Sequence, residues 1–300
     1  MALRGKSPEL IQKRLKAFFY GVAGAGKTTC AISFPKPYLI DCEKGSENTQ
    51  YAEIIKSNGG AVFHTADFDE IVQEVKALLS TEHDYKTLII DPLTVAYNNL
   101  VDRCAAEIKR KSKDKDATGE EFGKHYADAA KHMKRLLNLL LRLDMNVIIT
   151  SHAKNEYGQG MAVIGQTFDC YKKLDYLFDL VLEVQKAGKK RSAVVKKTRI
   201  TTFEEMGRID FDYSTIADLY GKDIIEKSFI AEKLATQEQI KEIYNLVTIL
   251  HIPAETIEKW LDKANATAFG EMSSENIQKC IDSLSKKLES MKQQEVITND

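Results

Sequence analysis

The sequence predicts an α/β fold, a mostly parallel sheet with helices on both faces, followed by a small C-terminal helical module. Three observations carry this. Short apolar β-type runs alternate with helical patterns over the first two hundred residues, as parallel sheets require. A Gly-x-x-x-x-Gly-Lys-Thr run stands between the first such strand and the first helical pattern. From Thr236 onward the β pattern stops and apolar residues recur only at helical spacing.

The elements follow in chain order. Strands are expected at Leu15–Tyr20, Tyr38–Asp41, Ala61–His64, Thr87–Asp91 and Asn146–Thr150. Asp67–Leu79, Tyr97–Ile108 and Phe122–Leu143 carry apolar residues three and four apart, for example Phe122, Tyr126, Ala129, Met133, Leu136, Leu140 and Leu143, and read as covering helices. Lys154–Gln166 is polar and Gly-rich and reads as a mobile loop; two β-like runs follow, Leu177–Gln185 and Arg191–Lys197, joined by a turn at Ala187–Lys190. Residues 1–214 form the expected core and 215–235 a linker. Residues 236–290 form a three-helix module, opened by a Thr236/Gln239 capping box, and 291–300 a polar tail. Lys109–Asp116 is a charged excursion between two helices.

Composition narrows the function classes. Apolar residues make up 43% and charged residues 29% of the 300 positions, the balance of an ordinary globular chain. No apolar run approaches the roughly 18 residues of a membrane span, and Met1–Leu10, with Arg4, Lys6 and Glu9, does not read as a secretory signal. Five scattered cysteines without CxxC spacing point to a reducing cytoplasm rather than a disulfide or zinc framework. With 43 Lys and Arg against 44 Asp and Glu, any nucleic-acid contact must come from a local patch.

The chemistry centres on Gly21, Val22, Ala23, Gly24, Ala25, Gly26, Lys27 and Thr28, with Thr29 beside them. With Gly near 7% of average usage, this match arises by chance in roughly one chain of this length in a hundred, and the strand and helix context makes it rarer. The glycines let backbone N–H groups turn inward around phosphate oxygens; Lys27 is expected at the β- and γ-phosphates and Thr28 on Mg²⁺. Leu88-Ile89-Ile90-Asp91 is an apolar strand ending in a carboxylate, as a second Mg²⁺ position requires, and Pro92 follows it in place of a catalytic Glu. Glu43, just past the second strand, is the candidate that orients the attacking water. His152, past the fifth strand, is the candidate γ-phosphate sensor.

The run Lys16–Ser46, with Phe-Tyr-Gly-Val-Ala-Gly-Ala-Gly-Lys-Thr-Thr and Leu-Ile-Asp-Cys-Glu-Lys-Gly-Ser, resembles the RecA-like nucleotide-binding proteins of bacteriophages that are associated with single-strand annealing and recombination. The Leu-Ile-Ile-Asp and Val-Ile-Ile-Thr-Ser-His strands, and Val-Lys-Lys-Thr-Arg ending at Arg199, fall in the family's order, so the likeness covers about Leu15–Tyr213. It implies a RecA-like P-loop NTPase core that hydrolyses ATP with Mg²⁺, assembles as a ring or filament and lies in the bacterial host's cytoplasm. At the sensor position RecA carries Gln where this chain has His152. Among seven basic residues from Lys186 to Arg199, the resemblance makes Lys197 and Arg199 candidate fingers toward a neighbouring subunit's ATP. It also places single-stranded DNA on the loop after His152, where Lys154 and Tyr157 supply charge and a stacking face, with Lys172 and Lys173 extending the patch. The tail, with Trp260-Leu261-Asp262-Lys263-Ala264, resembles modules appended to other phage recombination proteins, which implies a phage single-strand DNA-binding protein as its partner. The motifs leave two other classes open: an ATP-switched annealing module with little turnover, and a P-loop small-molecule kinase.

Overall fold

The computed structural model describes residues 13–113, 118–158, 160 and 162–298. Met1–Leu10 and part of the charged run Lys109–Asp116 lie outside them. Five apolar stretches form parallel strands: β1 (Lys16–Gly21), β2 (Pro37–Asp41), β3 (Ala61–His64), β4 (Thr87–Asp91) and the first half of β5 (Asn146–Tyr157). With β7 (Leu180–Ala187) parallel to β1, and β8 (Lys190–Thr198) and β9 (Arg208–Asp210) antiparallel beyond it, the order is β3-β2-β4-β5-β1-β7-β8-β9. The P-loop strand β1 and the Asp91 strand β4 are therefore not neighbours; β5 runs between them.

Alternate residues of each strand feed two cores, as the pleat dictates. Phe18, Ile40, Ile90 and Ile149 pack on one face under α3 (Phe68–Ser80), α4 (Leu93–Lys111) and α5 (Lys124–Arg142). Phe19, Leu39, Ile89 and Ile148 pack on the other, under α1 (Lys27–Ile32) and α2 (Thr49–Ser57). Asp67 caps α3 by accepting from the N–H groups of Asp69 and Glu70.

Three expectations change. Lys154–Gln166 is not a loop: β5 continues to Tyr157 and turns back as β6 (Val163–Phe168), an antiparallel hairpin standing off the sheet. The expected linker is largely part of the core. In it, α6 (Tyr213–Tyr220) and α7 (Lys222–Ile225) bury Ile216, Ala217 and Ile225 in the second face, and Arg14 holds the backbone carbonyls of Ile224, Lys227 and Ser228. The expected polar tail continues α10 (Ser274–Thr298), whose last residues carry no Pro or Gly to stop them; residues 299 and 300 lie outside the description.

The C-terminal helices α8 (Gln237–Ile249), α9 (Ala254–Lys263) and α10 bury their own core of Ile243, Phe269, Met272, Ile277 and Ile281. The Thr236/Gln239 capping box forms as expected. Ion pairs on α5, Lys134 with Asp262 (2.7 Å) and Arg135 with the buried Glu271, and a bridge of Leu234 with Ser273 tie the module to the core. No helix among the described residues is long and apolar enough to cross a membrane.

Candidate nucleotide site

The carboxyl ends of β1, β2, β4 and β5 converge, and the loop Gly21–Gly26 follows β1 there. Gly21 is fixed by crowding, since a Cβ on it would lie 2.5 Å from the Val184 carbonyl oxygen of β7. Gly26 caps α1 at φ +96, a left-handed conformation that side chains disfavour. Lys27 is buried and folds back over its own loop, donating from Nζ to the carbonyls of Gly21 (2.8 Å) and Val22 (3.1 Å). Burial pulls its pKa below the ordinary lysine value, against the opposing fields of Asp91 and Glu43.

Asp91, at the end of β4, is buried and accepts from Thr28 Oγ1 (2.6 Å) and from Thr150 Oγ1. Burial raises its pKa in spite of those two bonds and of Lys27. A buried carboxylate beside the P-loop hydroxyl, with charge still uncompensated, is the donor set Mg²⁺ takes, one or two protein oxygens with phosphate and water completing the octahedron. The pair Thr28 and Asp91 thus fits the expected metal position.

Glu43 and His152 come from different strand ends and meet, Oε1 to Nε2 at 3.1 Å. Each is placed by a second residue. Asp41 accepts from the backbone N–H of Glu43, Gly45 and Ser46 and from Ser46 Oγ, which folds the 43–46 turn over the strand end. Burial works against the Asp41 carboxylate, but these bonds outweigh it and hold its pKa below the ordinary value. Thr94 at the start of α4 accepts from the His152 backbone N–H (3.0 Å).

The basic strand divides. Lys197 and Arg199 do not reach this site: pairing of Val181 with Lys197, and of Leu180 with Ala17, puts them at the opposite end of the sheet from Gly21. There Lys197 donates to the carbonyls of Asp175 and Phe178, and Arg199 to that of Tyr176. Six residues earlier along β8, about 20 Å at strand rise, Arg191 lies against the P-loop; its Cδ is 3.4 Å from the position of a Cβ on Gly26. With Lys189, Tyr51 and Tyr213 it borders a cavity of about 380 Å³ that opens from Gly24, Gly26 and Thr29.

Of the other sequence candidates, Lys154, Lys172 and Lys173 line one further cavity, whereas Tyr157 stands three residues along the hairpin from Lys154. Sequence reasoning missed Thr150, Asp41, Thr94 and Arg191. Thr150 had a usable signal, the last residue of an apolar strand beside the Asp91 strand; the nearness of Arg191 to the loop depends on hairpin register and had none.

Together these features define a P-loop nucleotide-binding α/β domain in which a strand separates the phosphate loop from the Asp91 carboxylate. Residues 13–207 match the sequence profile of the AAA domain, and the chain belongs to that family. No curated protein matches by sequence. Among solved structures, the RadB recombinase is 19% identical with TM-score 0.42, over 65% of this chain and 84% of that one. A DnaB-like replicative helicase, solved with its primase interactions, is 12% identical with TM-score 0.41, over 66% of this chain and 56% of that one.

Proposed function

We propose that the chain is a RecA-like, Mg²⁺-dependent ATPase that oligomerises and binds single-stranded DNA in the recombination or replication of a bacteriophage. The observation that carries the reading is the convergence of Lys27, Thr28, Asp91, Glu43 and His152 at adjoining strand ends. Lys27 turns its ammonium from the loop carbonyls to the β- and γ-phosphates. Thr28 and Asp91 hold the metal, which supplies positive charge to phosphate oxygens. Glu43 orients water in line with the γ-phosphate, and its bond to His152 ties that carboxylate to the strand leading into the hairpin. The cavity beside Arg191 and Tyr51 takes the remainder of the nucleotide.

Lys197 and Arg199, distant from their own site, act only on a neighbour's ATP, after exchanging the carbonyls they now hold. The C-terminal module, with a core of its own, is a docking unit whose proposed partner is the phage's single-strand DNA-binding protein. Phosphate release by the full chain, with and without single-stranded oligonucleotide, together with negative-stain imaging in a non-hydrolysable ATP analogue, tests the reading. DNA-stimulated turnover and ordered rings or filaments support it; phosphoryl transfer to a small-molecule acceptor without DNA response overturns it.

A further inference from the structure

On the face of the sheet carrying α4 and α5, a cavity of about 620 Å³ opens beside the base of the β5–β6 hairpin. Its volume lies within the roughly 300–1,000 Å³ range of ligand sites. Three tyrosines far apart in sequence meet there: Tyr97 from α4, Tyr126 from the first turn of α5 and Tyr171 from the segment after β6. The Tyr97 and Tyr171 rings lie 6.2 Å apart, both half-buried, while Tyr126 is 56% exposed and backed by His125 at 4.2 Å. Lys154, Lys172 and Lys173 border the same space, Lys172 and Lys173 exposed. Asp169 pairs with Lys154 at 2.9 Å, and Asp102 is the other acidic group of the lining.

A wall of aromatic rings with a lysine rim is the chemistry of single-stranded nucleic acid, bases stacking on rings while ammonium groups follow phosphates. We propose that this groove, and not the far end of the hairpin with Tyr157, is where single-stranded DNA binds, with Tyr126 as the principal stacking face. The inference rests on the reading of the chain as a DNA-binding ATPase and assigns its DNA site. A phosphate displaces Asp169 from Lys154, and Lys172 and Lys173 take the flanking phosphates. Three neutralised phosphates per protomer give a slope of log K against log salt of about −2, a loss of roughly 20-fold between 50 and 200 mM.

The test uses the full chain and a fluorescent dT20 oligonucleotide, read by anisotropy. Tyr126→Ala should weaken binding about tenfold or more, and Tyr126→Phe should restore it, since the ring and not the hydroxyl stacks. Lys172→Glu with Lys173→Glu should weaken binding and flatten the salt slope. Photocrosslinking of 5-iodouracil oligonucleotide to the unaltered protein should map to Tyr126 or Tyr171. Wild-type binding that survives all these substitutions, with crosslinks at Tyr157, overturns the groove and leaves DNA binding standing. Tighter binding of rU20 or of duplex than of dT20 overturns the ligand. No binding of any oligonucleotide by a chain that still hydrolyses ATP overturns the groove and the DNA-binding reading together.

Discussion

Glu43→Gln separates chemistry from binding. The carboxylate touches His152 at 3.1 Å, and the two side chains are 45% and 41% exposed. A polar contact this open to water is worth about 1 kcal/mol or less, so the variant should unfold within about that margin of the parent. Glu43 makes no hydrogen bond to Lys27, Thr28 or Asp91 among the described residues, and ATP affinity should stay within a few-fold. The amide keeps the shape but cannot take charge from a water, and such a positioned base contributes about 10²–10⁴ in rate, or about 2.7–5.4 kcal/mol of barrier. Calorimetry gives the affinity and steady-state phosphate release gives kcat. Undiminished turnover would refute the role of Glu43, and so would a loss of ATP binding that accounts for the loss of turnover. Asp91→Asn is the contrasting variant, expected to lose Mg²⁺ affinity; the same metal defect in both would show that the two carboxylates do not have separate roles.

If Lys197 and Arg199 act in trans, the double alanine variant should bind ATP but not hydrolyse it, and mixing with Lys27→Ala protein should restore part of the turnover; mixed oligomers seen by native mass spectrometry without rescue would refute this. Lys16 is buried, donates to the carbonyls of Leu143 and Met145, and has its pKa lowered by burial to about 7. The folded state therefore binds fewer protons than the unfolded state between about pH 7 and 10.5, and this lysine's contribution to stability rises with pH across that window. Between pH 7 and 9 the urea stability of the parent should gain about 2 kcal/mol on Lys16→Met, and a constant difference would refute the lowered pKa. A chain ending at Ala235 should keep ATP binding, because the module has its own core and every phosphate-contacting residue proposed precedes it; aggregation would show the module to be part of the core.

Much of the fold was legible because the central parallel strands are buried on both faces and read as unbroken apolar runs; Thr87–Asp91 lies where expected. The β5–β6 hairpin was not, because only its base, through Ala153 and Phe168, packs on the core, and the rest of its sequence, with Gly158, Gly160 and Gly165, shows no alternation to read. The packed helix α6 escaped notice because eight residues supply only Ile216 and Ala217 to the core. In the site, Lys27, Thr28 and Asp91 were legible from motifs whose chemistry fixes their spacing. The contact of Glu43 with His152 was not, since it depends on β4 lying between β2 and β5. The basic run read as one patch but spans the sheet from end to end, and its two ends face different surroundings.

The central claim, a phosphate site built on Lys27, is tested most directly by calorimetric titration of ATP and Mg²⁺ into the parent and Lys27→Ala. The ammonium now held by Gly21 and Val22 would make at least two charge-assisted bonds to phosphate, each about 1.5–3 kcal/mol. Affinity should therefore fall about 100-fold or more, with the circular dichroism of the folded chain unchanged. Equal affinity in the two proteins would contradict the account.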